Sequence, residues 1–305
     1  MKKLLIKMSF FLLLCLGITC FFLLAYGANI DYFYNKFTTP KAKSMIIGDS
    51  RSLQGIQPQV INDFFESNKY ELPMFNYSFT IAQAIIGPPY NESIERKLDE
   101  NAKNGLFILS LTPEMLTSKI GFDNANDEFR EADQPPHNMS FVSMNPNFEY
   151  LFKNSRFFNF KAAFRKKATL HKDGWLEESN LPKDTLVLNK WKKGQIASFL
   201  KDRDKFYISR IRLRNLDTLI KKLQNHGEVF VVRMPIDKDF LLLEKKYYPE
   251  FNRLIDSITT KNTIKYFDFN LYKGKMPYQT YDGHHINKYD GKKFTRDLCD
   301  SILKY

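Results

Sequence analysis

Ser44-Met45-Ile46-Ile47-Gly48-Asp49-Ser50-Arg51-Ser52 decides the reading of this chain. Three consecutive large apolar residues closed by Gly48 are too short for a helix and fit a buried strand. A polar turn rich in hydroxyls follows. Gln57-Pro58 then places proline at a first helical position, which predicts a helix over 58–67. The unit is therefore strand, turn, helix, and the same rhythm recurs along the chain. Further strands are predicted over Leu72 to Tyr77, Leu106 to Leu111, Glu228 to Pro235 and Thr263 to Phe269. Helical spacing runs over Ile81 to Lys103, with a break at Gly87-Pro88-Pro89, then over Tyr207 to Gln224, Tyr248 to Thr260 and Tyr289 to Leu303. Strands alternating with helices imply an α/β fold with a mostly parallel sheet covered on both faces. The expectation is a three-layer α/β/α sandwich with five strands.

Two stretches break the rhythm. Residues 115 to 204 hold Asn, Lys, Phe and Pro with no sustained period, and read as a long insertion or cap with a few helices. Met8 to Tyr26 contains no charged side chain. Nineteen residues at about 1.5 Å each reach roughly 28 Å, the thickness of a bilayer's hydrocarbon. Lys2, Lys3 and Lys7 precede the run and point to a cytoplasmic N-terminus, with the rest of the chain outside. Ala25-Tyr26-Gly27 also offers the small residues a signal peptidase needs, so cleavage is the rival to a retained anchor. The organisation expected is an anchor over 1–27, a stalk over 28–43 and one domain over 44–305.

Composition narrows the classes. The chain has 305 residues, 43% hydrophobic and 26% charged, which excludes wholesale disorder. A mean hydropathy of −0.40 excludes a protein of many membrane spans. Three cysteines, two of them in the apolar run, exclude a disulfide scaffold and a four-cysteine zinc site. Cys299 reads as a packed small hydrophobe. The net charge of +12 comes partly from basic clusters at Arg165-Lys166-Lys167 and at 190–193, which suit either an anionic envelope polymer or lipid headgroup or a plain solvated face. Nucleic acid is not indicated, because the aromatics form no recognisable stacking motif.

In parallel α/β sheets ligands lie beyond the carboxyl ends of the strands. Gly48-Asp49-Ser50 follows the first strand, and Tyr281-Asp282-Gly283-His284-His285 follows the fifth. A hydroxyl becomes a nucleophile beside a base, and the base needs an orienting group. Ser50 can be that nucleophile, His285 the base and Asp282 the orienter, since Asp and His three apart on one turn can bond directly. Gly283 permits the turn. His284 reads as a neighbour facing cap or solvent, and His137, His171 and His226 as surface histidines.

Gly48-Asp49-Ser50 after a first strand, with Asp282-x-x-His285 before the last helix, resembles the SGNH/GDSL hydrolase superfamily. The order of elements agrees over most of 44–305, although only the two short motifs are sharp. The resemblance implies ester hydrolysis or acyl transfer with Ser50 as nucleophile, His285 as base and Asp282 as its partner, and calls for no metal or organic cofactor. The Gly-Asp-Ser-Arg form behind a membrane segment is similar to a branch of exported, acyltransferase-like proteins. Members of that branch modify cell-envelope polymers, as in alginate O-acetylation and teichoic-acid D-alanylation. The implied partners are an envelope glycan or acylated carbohydrate and a multi-span membrane acyltransferase.

The chain departs from that pattern at the oxyanion hole. Hydrolytic members carry Gly after the second strand and Gly-x-Asn-Asp after the third. Here those positions read Phe75-Asn76-Tyr77-Ser78 and Leu111-Thr112-Pro113-Glu114. Losing one oxyanion donor costs roughly 10²–10³ in rate. The candidates left are the Arg51 backbone N–H, Asn76 and Arg233, with Arg233 equally readable as a surface salt bridge. The leading expectation is a membrane-anchored serine acyltransferase or esterase acting on acetyl groups of an envelope polysaccharide. The alternative is a non-catalytic protein of the same fold that binds the polymer or a membrane partner.

Overall fold

The structure, a computed structural model, describes residues 2–65, 69–126, 128–154, 168–201, 203–271 and 276–305. β1 (Ser44–Gly48) is flanked by β2 (Met74–Asn76) and β3 (Gly105–Ser110), and β8 (Gly227–Arg233) and β9 (Lys265–Asp268) continue the sheet beyond β3. The order is β2-β1-β3-β8-β9, and every neighbouring pair is parallel. Side chains along a strand alternate between faces. Met45, Ile47, Phe107, Leu109, Val229 and Val231 enter one apolar core, while Ile46, Leu106, Ile108, Phe230 and Val232 enter another. That double burial is why these strands read as unbroken apolar runs.

Helices flank the sheet. α3 (Ser50–Gly55) and α4 (Pro58–Phe65) follow β1, and both pack against the closing helix, α11 (Lys288–Leu303). Residues 66–67 of the helix predicted over 58–67 lie outside the described residues. Cys299 is fully buried in the second core, on α11. α5 (Pro88–Lys97), α8 (Arg210–Gln224) and α10 (Phe251–Lys261) give Ile94, Leu219 and Ile255 to the first core. Helix 81–103 is shorter than its spacing predicted, because Gly87-Pro88-Pro89 starts the helix there and the residues before it form a turn. α9 (Lys238–Tyr247) was not anticipated. β7 (Phe206–Ile208) takes the start of the predicted 207–224 helix, pairing antiparallel with β4 (Thr117–Lys119).

The middle of the chain contributes α6 (Phe148–Asn154), a hairpin of β5 (Ala168–Leu170) and β6 (Leu176–Glu178), and α7 (Thr185–Leu200). Arg165-Lys166-Lys167 lies outside the described residues. The N-terminal helix α1 (Lys2–Ile30) contains a segment, Lys2–Phe21, long and apolar enough to cross a membrane, with none of it buried in the protein.

The stalk reading fails from Phe33 onward. Phe33, Tyr34 and Phe37 are buried in the first core, around α2 (Tyr34–Thr38), and the Lys36 amine donates to the Asn76 and Gly174 carbonyls. Burying an aromatic side chain removes about 150–250 Å² from water, too large a gain for a linker to forgo. Burial drives the Lys36 pKa well below the ordinary lysine value.

Gly48 ends β1 where the backbone crowds its neighbours. A Cβ there would stand 2.3 Å from Ser52 Oγ and 2.7 Å from the Ser110 carbonyl oxygen. Gly48→Ala is expected to destabilise the fold by about 1–3 kcal/mol, the usual cost of overpacking, read as a lowered thermal midpoint of the detergent-solubilised chain.

Candidate active site

The chain leaves β1 toward β2 on one side, and β3 lies on the other. Such a reversal opens a crevice at the carboxyl ends of the strands. Ser50 stands there as the first residue of α3. Asp49 caps that helix: its Oδ1 accepts the Arg51 N–H at 2.9 Å, and its Oδ2 accepts the Thr112 hydroxyl at 2.9 Å. Ser52 Oγ donates to the Asp49 carbonyl at 3.0 Å and lies 2.9 Å from Ser78 Oγ, whose hydroxyl can donate to it. The turn that presents Ser50 is thus tied to the ends of β2 and β3.

The last loop brings the other partners from 235 positions away. His285 Nε2 lies 2.8 Å from Ser50 Oγ, and His285 Nδ1 lies 2.7 Å from Asp282 Oδ2. Asp282 Oδ1 also accepts the His285 backbone N–H at 2.9 Å. Gly283 has φ +98°, a left-handed conformation, and a Cβ there would strike the Phe240 ring at 2.7 Å. Burial works to raise the Asp282 pKa. The hydrogen bond from His285 and its charge outweigh it and hold Asp282 at about 2. Asp282 is therefore a carboxylate at any physiological pH, suited to fix the imidazole tautomer and to stabilise imidazolium.

Of the two adjacent histidines, His285 alone has a hydrogen bond to Ser50 among the described residues. His284 is packed against Phe240, with ring centroids 4.8 Å apart, and its Nε2 is 3.8 Å from Asp282 Oδ2. Burial, then the charges of His285 and Arg51, push its pKa well below the ordinary value, so it is neutral. Asp282, His284 and His285 offer ligand atoms within 4.8 Å of one another, a spacing that could hold a metal ion. Asp282 Oδ2 and His285 Nδ1 already bond each other, so a metal taking either of those atoms would have to break that link.

The three oxyanion candidates do not converge on Ser50. The Arg51 N–H is spent on Asp49, as above. The Asn76 amide nitrogen donates to the Ser52 carbonyl at 2.9 Å and the Ile56 carbonyl at 3.2 Å, and its oxygen accepts the Ser78 N–H. Arg233 is not on the surface, so the surface salt-bridge reading is corrected. It is buried, donating to Glu244 at 2.7 Å and to Asn252 at 2.6 Å. The Arg51 side chain reaches the other Glu244 oxygen at 2.7 Å, so one buried carboxylate joins two guanidiniums beside the turn that carries Ser50.

Other residues around the site escaped sequence reading. Tyr281 stacks on His285, with centroids 5.7 Å apart and planes 19° apart, and its hydroxyl bonds Gln54. Trp175 Nε1 donates to the Gln54 carbonyl at 2.7 Å. From α7, Trp191 meets Tyr281 edge-on at 6.3 Å, and Lys192 pairs with Asp237 at 2.8 Å and Asp239 at 2.7 Å. Part of the basic cluster at 190–193 therefore fastens α7 beside the loop that carries Asp282 and His285. Adjacency of Tyr281 to the Asp-x-x-His motif was the one local signal available. His137 is also corrected: it is buried, its Nε2 is 2.7 Å from the Gln83 carbonyl, and burial lowers its pKa to about 4.

No protein-family profile and no curated protein matches the chain.

Proposed function

We propose that the chain is a membrane-anchored serine acyl-transfer enzyme of the SGNH type, a three-layer α/β/α sandwich exported with its N-terminus in the cytoplasm. The observation that carries this reading is the single imidazole hydrogen-bonded to Ser50 on one side and Asp282 on the other. Ser50 Oγ attacks an acyl carbonyl while His285 Nε2 takes its proton, and the leaving group departs with that proton. A second hydroxyl, of a cell-envelope glycan or of water, then gives its proton to His285 and takes the acyl group. Ser50 Oγ leaves and is reprotonated. Acetyl is the acyl group proposed, with a multi-span membrane acyltransferase as the supplier.

A non-catalytic reading has one specific observation in its favour: Asn76, Arg233 and the Arg51 N–H are all engaged elsewhere. A fluorophosphonate probe separates the two. Covalent labelling of the solubilised wild-type chain, absent in Ser50→Ala, is the expected result. A folded wild-type chain that resists the probe would move the protein to the binding role.

A further inference from the structure

The proposed anchoring by α1 has a consequence for a distant surface. The apolar run ends at Tyr26, and α1 stays helical through Ile30, so Asp31 lies five positions beyond the run. At about 1.5 Å per residue that is roughly 7 Å. The headgroup layer on each side of a bilayer is about 5–8 Å thick. Asp31 thus stands near the outer limit of the headgroups, and whatever is fastened to it is held at the membrane surface.

α6 is fastened to it. The Tyr150 hydroxyl donates to the Asp31 carboxylate, and its ring stacks on Phe37 at 5.1 Å and meets Tyr34 at 5.7 Å. Tyr150 is 1% exposed, whereas Phe148 is 47% and Phe152 is 80% exposed. Positions four apart share a helix face, and Tyr150 between them points away. The preceding loop adds Phe141 and Met144, both exposed. It is held to the same unit: the Ser140 and Phe141 N–H groups donate to Glu149, Asn147 donates to the Phe141 carbonyl, and the Met144 N–H to the Phe37 carbonyl. Four large apolar side chains are therefore presented to solvent by a well-tied segment next to the base of α1.

We infer that Phe141, Met144, Phe148 and Phe152 form a docking surface that seats the domain in the headgroup–acyl boundary of the bilayer. Clustered exposed apolar side chains mark interaction sites, and apolar rings on an interfacial helix bury themselves a few ångströms into lipid. The docking surface rests on the anchoring role of α1, and it would hold the catalytic domain in one orientation on the membrane instead of letting it swing.

The test uses the full chain with Cys15→Ser and Cys20→Ser, Cys299 being fully buried. A single Phe152→Cys or Leu271→Cys carries an environment-sensitive nitrobenzoxadiazole label. Leu271 is 79% exposed and follows β9, the sheet edge opposite β2. After reconstitution into phosphatidylcholine vesicles, the label at 152 should be blue-shifted and lose roughly half or more of its emission to a headgroup nitroxide lipid. The label at 271 should stay water-like and unquenched. A label at 152 that behaves like the one at 271 on vesicle-bound protein overturns the inference. So does a blue shift that grows with protein-to-lipid ratio without nitroxide quenching, which would mean a second copy covers the patch. A chain that fails to float with the vesicles overturns it together with the anchor. Fluorophosphonate labelling in detergent would still report Ser50 independently.

Discussion

Ser50→Ala and His285→Ala are each expected to lower acyl transfer by about 10⁴–10⁶-fold while leaving the fold intact. The reason lies in the hydrogen-bonded chain from Asp282 through His285 to Ser50, in which, among the described residues, neither the hydroxyl nor the imidazole has a substitute at bonding distance. Both side chains stand at the carboxyl edge of the sheet, so truncation opens little core cavity. Because the residues act as one unit, the double variant should be no slower than either single one. Asp282→Asn should cost somewhat less, about 10³–10⁴-fold, since nucleophile and base remain but the tautomer is no longer fixed. His284→Ala should be mild by comparison, because its ring has no bond to Ser50. The measurement is turnover of an acetyl ester by each solubilised variant at equal folded concentration. Wild-type turnover by Ser50→Ala would end the nucleophile assignment. The pH profile carries a further check. Asp282 ionises at about 2, so it should contribute no limb to the profile at any higher pH.

Glu244→Ala should have the largest effect on stability, about 3–5 kcal/mol, a substantial share of the 5–15 kcal/mol typical of a domain. Glu244 is fully buried and holds Arg51 through one oxygen and Arg233 through the other. Removing it takes the 2.7 Å ion pair from both guanidiniums and leaves Arg233 only its longer, 3.6 Å pair with Asp268. Replacing all three at once (Arg51→Met, Glu244→Leu, Arg233→Met) should be far less damaging, since desolvated charges and their attraction vanish together. Chemical denaturation of the three forms decides the matter, and a single Glu244→Ala as stable as wild type would refute it. The sign of the pH effect follows. Burial opposes the Glu244 charge, but Arg51 and Arg233 outweigh it and lower its pKa. Its stabilisation is therefore complete above the ordinary glutamate range and is lost as the pH falls through the lowered folded value. Because Arg51 follows Ser50 directly, the same network also holds the first turn of α3, which carries Ser50.

Parallel strands, the apolar N-terminal helix and the pair of motifs at Ser50 and Asp282-x-x-His285 were legible in the sequence, because each rests on local pattern. Strands buried on both faces must be apolar throughout, and an Asp three residues before a His on a glycine turn needs no distant partner to meet it. The engagements of the oxyanion candidates were not legible for the opposite reason. The donors of Asn76, Arg51 and Arg233 are consumed by groups such as the Ser52 carbonyl, Asp49 and Glu244, and nothing at those positions distinguishes a free amide or guanidinium from a committed one. Glu244 is one of 34 acidic residues, with no local mark of burial. The segment before β1 looked like a linker because it is polar and aromatic, with two Thr and one Pro. The burial of Phe33, Tyr34 and Phe37 depends on rings such as Tyr77, Phe79 and Tyr150, which only the folded sheet and its neighbours bring together. By itself the sequence determined the alternation of elements and the types of the reacting groups, since those follow from side-chain periodicity and chemistry within a few residues. Only the tertiary structure decided that Ser50 and His285 meet and which polar groups around them are already engaged, because hydrogen-bond partners 20 to 235 positions apart are brought together by packing and not by local sequence.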